Sequence, residues 1–234
     1  MEQFIRSKML YGKDYIDILK NKKVAIFGIG GVGGYVAEAL ARIGVGSLSL
    51  FDHDEVSISN LNRQIVALHS TIGKYKVDVM KSRIKDINPN CNVQTHKVFY
   101  NAETAEDYNF SEYDFIVDAI DTVSAKLILI QKAKEKNVNI ISSMGTGNKL
   151  DPTKLKITKL EKTEACPLAR VMRYECKKRN IKDVTVLYSE ELAVKPFDLQ
   201  ANMGGKKSVP GSNPFVPSSA GLIIASYVVG KMLE

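Results

Sequence analysis

Residues 24–34 read Val-Ala-Ile-Phe-Gly-Ile-Gly-Gly-Val-Gly-Gly, and this stretch decides the fold. Its four leading apolar residues are typical of a buried strand. The glycines that follow predict a sharp turn into a helix, with backbone N–H groups left free to bind a phosphate at the helix N-terminus: Gly28, Gly30, Gly31 and Gly33. A side chain here would hold the phosphate away. The stretch therefore predicts the nucleotide-binding unit of an α/β domain.

The glycines alone leave two classes of nucleotide-binding protein open. They also fit the dinucleotide fingerprint, and Asp52 lies where an acid binds the ribose of NAD. Further polar residues follow this acid: Asn60, Arg63, Gln64 and Lys76. A triphosphate under attack needs cations where charge develops, and the arginine and the lysine suit that role. These two cations favour an ATP-using enzyme over an NAD-binding regulator without catalysis.

Four motifs in this order resemble those of the ATP-dependent adenylating enzymes related to ubiquitin activation, which include the activators of the thiamin and molybdopterin sulfur-carrier proteins. They are the glycine run, the segment 52–64, Lys76, and Asp118-Ala119-Ile120-Asp121 after another apolar run. The resemblance implies that Asp52 binds the ribose and that four residues handle the phosphates: Asn60, Arg63, Gln64 and Lys76. It also implies that Asp121 lies beside the nucleotide and a magnesium ion. Asp118 either helps to bind that cation or simply ends the strand.

The same resemblance implies a homodimer. In the family, an N-terminal arginine enters the ATP site of the partner subunit, and Arg6 in the segment Gln3-Phe4-Ile5-Arg6-Ser7 occupies the matching place. The resemblance therefore makes Arg6 a residue that stabilises the reacting phosphates in trans. The other interpretation is a solvated arginine on an amphipathic first helix.

The second half of the chain is similar to the tRNA threonylcarbamoyladenosine dehydratases, through the segments 143–152, 167–170 and 211–222. This resemblance covers nearly the whole chain. It implies that ATP adenylates the carboxylate of threonylcarbamoyladenosine beside the anticodon, with magnesium, Arg63, Lys76 and Arg6 stabilising the charge. The neighbouring carbamoyl group would then close onto the activated carbonyl and expel AMP. Because ring closure is intramolecular, no enzyme nucleophile is required.

Composition indicates a cytoplasmic enzyme without a membrane segment. The 234 residues can bury a sizeable core, and the longest apolar run, 220–229, is short for a membrane span. The cysteines at 91, 166 and 176 are widely spaced and odd in number, as expected in a reducing compartment. No Cys-x-x-Cys pair is present, so we expect no zinc. Cys166, which precedes Pro167, is either a thioester-forming nucleophile or a small packed residue.

A basic segment in the second half offers a nucleic-acid contact. The net charge is +7, and four basic residues fall in one helix predicted to start after Pro167: Arg170, Arg173, Lys177 and Lys178. Lysines and arginines that neutralise phosphates release counterions, so this helix suits tRNA. A solvated helix face with no ligand is the other interpretation.

The apolar pattern predicts a Rossmann-like, doubly wound and mostly parallel sheet with an antiparallel C-terminal extension. Strands are predicted at 23–27, 47–51, 93–98, 114–118 and 138–142, and helices at 31–44, 74–87 and 123–136. The nucleotide-binding half spans 1–150. The substrate-facing half, 151–234, holds strands at 155–158 and 185–188, a long mobile loop at 190–217 and a core or dimer helix at 218–233.

Several alternatives stay open at this level. An activator of a ubiquitin-like sulfur carrier would use the same ATP site on a protein C-terminus, although the missing zinc cysteines and the basic helix favour tRNA. The turn 145–148 offers backbone groups to a monovalent cation or to the substrate. Sequence does not decide whether a sulfur-transfer protein binds.

Overall fold

The computed structural model describes residues 2–195, 197 and 210–234. Among these residues, seven strands form one sheet: β1 Lys23–Phe27, β2 Ser47–Phe51, β3 Asn92–His96, β4 Phe115–Asp118, β5 Asn139–Ser143, β6 Leu155–Lys159 and β7 Thr185–Ser189. Their order across the sheet is β3-β2-β1-β4-β5-β7-β6. The first five strands and β7 are parallel, and β6 alone runs antiparallel, against β7. The predicted Rossmann-like fold is confirmed, with the antiparallel part confined to one edge strand.

The helices cover both faces of this sheet. Their bounds are α1 Ile5–Tyr11, α2 Tyr15–Leu19, α3 Gly33–Ile43, α4 Lys76–Ile87, α5 Val123–Glu135, α6 Pro167–Lys178 and α7 Phe215–Leu233. Successive residues of a strand point to opposite faces, so Val24 and Ile26 join the core under α3, α4 and α7. Ala25 and Phe27 join the core under α5 and α6. Burial on both faces explains why β1 is apolar throughout.

The C-terminal helix begins earlier than the sequence predicts. The sequence predicts a loop that ends at 217 and a helix that starts at 218. In the structure α7 starts at Phe215 and contains Pro217 in its first turn. Proline is tolerated there because the first N–H groups of a helix have no intrahelical acceptor. Part of the predicted loop 190–217 lies outside the described residues, since 196 and 198–209 are not described.

Helix α7 is a core helix. By length and composition it is long and apolar enough to cross a membrane, unlike the short run expected from sequence, yet 50% of its apolar window is buried inside the protein. It packs along α3, where a Cβ on Gly221 would lie 2.5 Å from the carbonyl oxygen of Val32. Burial against α3 accounts for its apolar composition.

Candidate active site

A cavity of about 340 Å³ opens at the carboxyl edge of the sheet. It lies beside β1, β2 and β4, where helices leave toward opposite faces, which is the usual ligand position in doubly wound folds. The structure brings nine sequence-predicted residues to its lining: Gly28, Gly30, Gly31, Asp52, Asn60, Arg63, Gln64, Lys76 and Asp121. These residues are separated by up to ninety-three positions in sequence and meet because parallel strands end at one edge.

The glycines of the turn have two different roles. Gly30 faces the cavity, and the nearest atom to a Cβ added there would be Gln64 Nε2 at 3.8 Å, so a side chain would fill ligand space. Gly33 is not among the lining residues. A Cβ on it would lie 1.8 Å from the carbonyl oxygen of Gly28, so its function is close packing at the start of α3. The contact of Gly33 with the nucleotide stays a prediction.

Asp52 joins the glycine turn to the end of β2. Its side chain is only 9% exposed. One carboxylate oxygen accepts a hydrogen bond from the backbone N–H of Ile29 at 2.6 Å, and the other accepts from Asp54 N–H at 2.8 Å. An ionised carboxylate has further lone pairs, so Asp52 can also accept from a ribose hydroxyl.

Lys76 is a buried cation at the start of α4. Its side chain is 6% exposed, and Nζ lies 2.6 Å from Oδ2 of Asp54. Because Asp54 is half-exposed, a polyphosphate entering the cavity can share or replace this contact. The sequence analysis did not predict a role for Asp54, although it is the second acid of the string Asp52-His53-Asp54.

The segment 57–64 is organised by its own hydrogen bonds. The side-chain oxygen of Asn60 accepts from the backbone N–H of Ser57 at 3.1 Å. Arg63 donates from Nη1 to the carbonyl oxygen of Ser59 at 2.8 Å, which holds the guanidinium at the cavity. Gln64 is buried, and its Oε1 has no hydrogen-bond partner among the described residues. A buried polar atom on a cavity wall calls for a donor from a ligand.

The two aspartates after β4 have different environments. Asp121 is exposed, lines the cavity and accepts a hydrogen bond from Thr122 Oγ1 at 3.3 Å. Asp118 is fully buried and pairs with Lys126 at 3.0 Å. Of the two interpretations of Asp118, the structure therefore supports the one in which it ends the strand, and only Asp121 faces the cavity.

Lys126 ties together the loops that form the cavity floor. Its ammonium group contacts Asp118 and donates to the carbonyl oxygen of Ser143 at 2.7 Å. Asp118 in turn accepts from Ser142 Oγ at 2.5 Å and from the backbone N–H of Ile120 at 3.1 Å. This network links the loop carrying Asp121 to the end of β5. A lysine at a buried position of an otherwise apolar helix face was the sequence signal for it.

An aromatic wall, which the sequence analysis did not identify, closes one side of the cavity. Phe99 and Tyr100 line it, and Phe51 stacks on Phe27 with ring centroids 4.1 Å apart. Burial, with smaller contributions from nearby acids, raises the pKa of Tyr100, so its hydroxyl stays protonated. His96 stacks on Phe51 at 4.2 Å, and burial lowers its pKa.

Arg6 lies away from the cavity of its own subunit. It is exposed on α1, next to Phe4, which packs against Gly44 at the C-terminal end of α3. The cavity adjoins the other end of α3, and eleven helical residues span about 16 Å. Arg6 therefore does not line this subunit's cavity.

The basic helix borders a separate surface cavity. We call this cavity of about 770 Å³ the α6 groove; Arg170, Arg173 and Lys177 line it, whereas Lys178 is exposed outside it. Arg173 is already engaged, since Nη1 donates to the carbonyl oxygen of Thr163 at 2.7 Å. The predicted basic residues are thus close together but are not part of the nucleotide cavity.

The three cysteines are buried. Cys166 occupies the N-cap position of α6 without a side-chain capping bond, is 4% exposed and packs beside Gly145. Burial raises the pKa of Cys91 and of Cys176 to about 11. These environments are those of packed thiols, not of accessible nucleophiles.

The cavity at the sheet edge and the polar residues that line it are those expected of an ATP-dependent adenylating enzyme. The ThiF family model matches residues 4–229, and the chain belongs to this family. The chain is 43% identical over 243 residues to the tRNA threonylcarbamoyladenosine dehydratase of Bacillus subtilis, covering 100% of this chain and 96% of that one.

Solved structures agree with this relationship. The tRNA N6-threonylcarbamoyladenosine dehydratase of E. coli, TcdA, crystallised with ATP, superposes with a TM-score of 0.89 at 32% identity, covering 99% of this chain and 94% of that chain. A more distant relative is the adenylyltransferase and sulfurtransferase UBA4 of Saccharomyces cerevisiae, 34% identical over 55% of this chain and 29% of its own length.

Proposed function

We propose that this protein is an ATP-dependent dehydratase that cyclises threonylcarbamoyladenosine beside the anticodon of tRNA. The observation that carries the proposal is the cavity itself, with its glycine turn, the unpartnered oxygen of Gln64 and the cations Arg63 and Lys76. The nucleotide bound in the similar E. coli enzyme and the full-length similarity to dehydratases support it.

The chemistry assigned to the site begins with a poor leaving group. The carboxylate oxygen of the modified base attacks the α-phosphorus of ATP, which forms an acyl adenylate and releases pyrophosphate. Arg63 and Lys76 stabilise the negative charge that develops on the phosphates. Asp54 holds the Lys76 ammonium within the cavity until the polyphosphate arrives.

The second half-reaction needs positioning alone. The carbamoyl group closes onto the activated carbonyl carbon and gives up a proton to solvent, while the bond to AMP breaks and AMP leaves with one oxygen of the former carboxylate. The nucleoside has then lost the elements of one water. Since nucleophile and electrophile belong to the same modified base, proximity supplies much of the rate. The buried state of Cys166 accords with a route that has no enzyme nucleophile.

Asp121 is the residue proposed to hold magnesium. Its carboxylate is exposed on the cavity wall, and magnesium is usually bound by one or two carboxylates together with substrate phosphates. A bound magnesium ion would supply positive charge at the phosphates. Asp121 would orient this magnesium ion.

A monovalent cation is a separate proposal. Carbonyl oxygens of the turn 145–148 are the ligands proposed for it.

A homodimer in the cytoplasm is the proposed working form. Arg6 shares α1 with exposed apolar side chains, and α2 adds one more: Ile5, Met9, Leu10, Tyr11 and Ile18. Exposed apolar patches of this kind mark interaction surfaces, and a second copy of the chain is the occupant proposed here. In that dimer Arg6 reaches the cavity of the partner.

Mass spectrometry of digested nucleosides tests the function. Wild-type protein with ATP, magnesium and threonylcarbamoyladenosine-bearing tRNA should remove one water from that nucleoside, under mild digestion that preserves the ring. Arg63→Ala should lower kcat by about 10²–10³, because it removes a group that stabilises transition-state charge. Lys74→Ala, which removes an exposed cation outside the cavity, is the matched control and should retain activity.

Absence of ATP-dependent water loss, with intact tRNA, would contradict the proposal. The function would then move to activation of a ubiquitin-like sulfur carrier, the second candidate, which the similarity to UBA4 over 55% of the chain favours. Pyrophosphate exchange driven by a carrier with a free C-terminal glycine would measure that activity directly.

A further inference from the structure

The α6 groove carries more cations than carboxylates, and most of these cations have no partner within the described residues. Four cations line it, Arg170, Arg173, Lys177 and Lys182, against one carboxylate, Glu161. Glu161 is occupied, since its Oε1 accepts from the backbone N–H of Asp183 at 3.1 Å. Within the described part of the chain, no carboxylate lies within ion-pair distance of Arg170, Lys177 or Lys182.

One aromatic ring stands among these cations. Tyr174 lines the groove, is 68% exposed, and its hydroxyl has no hydrogen bond among the described residues. Arg170, Tyr174 and Lys177 follow at spacings of four and three, so they lie on one face of α6. The ring therefore lies between two cations that have no carboxylate partner among the described residues, and its faces are free to stack on a ligand.

Helix α6 runs from the proposed reaction site toward the groove. Helix α6 starts beside the cavity, because a Cβ on Gly145 would lie 3.8 Å from Leu168, and the next residue, Thr146, lines the cavity. A rise of about 1.5 Å per residue carries α6 about 15 Å from Pro167 to Lys177. A nucleic acid with one nucleotide in the cavity can therefore run along this helix.

Single-stranded RNA is the ligand class that matches this combination. Sequence-specific proteins hold unstacked loop bases on aromatic or guanidinium planes and hold the backbone on cations. The volume, about 770 Å³, falls in the range of pockets that enclose small ligands, so a nucleoside fits. A duplex offers no free base faces to Tyr174.

We infer that the α6 groove binds an unstacked nucleotide of the tRNA anticodon loop, with its base on the Tyr174 ring and its flanking phosphates on Arg170 and Lys177. The inference rests on the proposed function and adds a second base-binding site to it. Lys178, outside the groove, contributes only through its general charge.

Fluorescence anisotropy with a labelled anticodon stem-loop RNA tests the groove without chemistry. Tyr174→Ala should bind the stem-loop about ten-fold more weakly, because a stacked base is lost, while Tyr174→Phe keeps the ring and stays within about two-fold of wild type. Lys177→Ala should lower the salt dependence of binding more than Lys178→Ala, its neighbour of equal charge. The stem duplex without its loop should not respond to Tyr174→Ala.

Kinetics supply the second readout. In Tyr174→Ala the KM for modified tRNA should rise, with the KM for ATP unchanged. Stem-loop affinity equal to wild type in Tyr174→Ala, or an equal loss for the duplex, would overturn the inference. Tyr174-dependent stem-loop binding without any dehydration would keep the groove and refute the proposed function. Dehydration with a KM for tRNA that does not depend on Tyr174 would support the proposed function and refute the role of the groove.

Discussion

At the scale of single residues, the cavity floor depends on a charge pair that is removed from water. Lys126 and Asp118 are both 0% exposed, and their four additional hydrogen bonds to Ser142, Ser143 and Ile120 offset the cost of burying two ions. The pair fixes the loop that carries Asp121. The buried pair therefore acts by keeping Asp121 in position at the cavity.

Breaking this pair should be severely destabilising. Lys126→Met leaves Asp118 charged and without its counter-ion, and we expect a loss of about 3–5 kcal/mol in the free energy of unfolding. The double variant Asp118→Leu/Lys126→Met removes both charges and should recover much of the loss. Urea unfolding measures both. Equal stability of Lys126→Met and wild type would contradict this account of the network.

His96 gives the aromatic wall a dependence on pH. Burial lowers its pKa, so the folded state prefers the neutral imidazole stacked on Phe51. The unfolded chain binds this proton more readily, with a pKa of about 6.5, so stability falls as pH drops below about 6.5 toward the lower folded pKa. In His96→Phe this contribution should vanish. Urea unfolding between pH 5 and 8 would show parallel curves for both proteins if the assignment were wrong.

At the scale of elements, the approach of α7 to α3 depends on one missing side chain. A Cβ on Gly221 would lie 2.5 Å from the carbonyl oxygen of Val32, at the start of the helix that follows the glycine turn. Spacing between these helices therefore bears directly on the nucleotide cavity, which Val32 and Pro217 also line.

Enlarging Gly221 should separate the two helices. Gly221→Val forces backbone movement and should cost about 1–3 kcal/mol of stability, with a raised KM for ATP. Gly230→Ala is the matched control on α7, since nothing lies within 4 Å of the added Cβ, and it should be neutral or more stable by up to about 1 kcal/mol. Thermal unfolding of both variants compares them. A Gly221→Val protein as stable as wild type would rule out the tight contact.

At the scale of the whole molecule, the position of Arg6 makes the subunit incomplete for its proposed role. Arg6 and the cavity lie at opposite ends of α3, so the proposed role of this arginine requires the cavity of a second subunit. The exposed apolar side chains around Arg6 are suited to hold that partner.

Mixing two inactive variants tests this arrangement. Arg6→Ala supplies an intact cavity and Arg63→Ala supplies an intact arginine arm, so one site in each mixed dimer is complete. After subunit exchange the mixture should regain about a quarter of wild-type activity, since half the dimers are mixed and each has one working site. Activity no greater than the sum of the separate variants would refute action in trans.

Local chemistry explains how much of the site was predictable. The glycine turn, the ribose acid and the polar segment 52–64 follow strands whose apolar runs are unmistakable, and parallel strands end at one edge. Nine predicted residues therefore meet at one cavity. The strand positions in the first half followed from the same pattern within about two residues.

The tertiary structure decided the remainder, because long-range packing is not written in local patterns. It packed Gly33 against Gly28, buried Asp118 against Lys126, and set Arg6 at the far end of α3. It also placed the basic helix in its own groove, next to the cavity but separate from it. Sequence by itself determined the parallel sheet and the polar residues that follow its strands, because both are written in local patterns, and the packing of helices on the sheet determined which of these residues share a cavity.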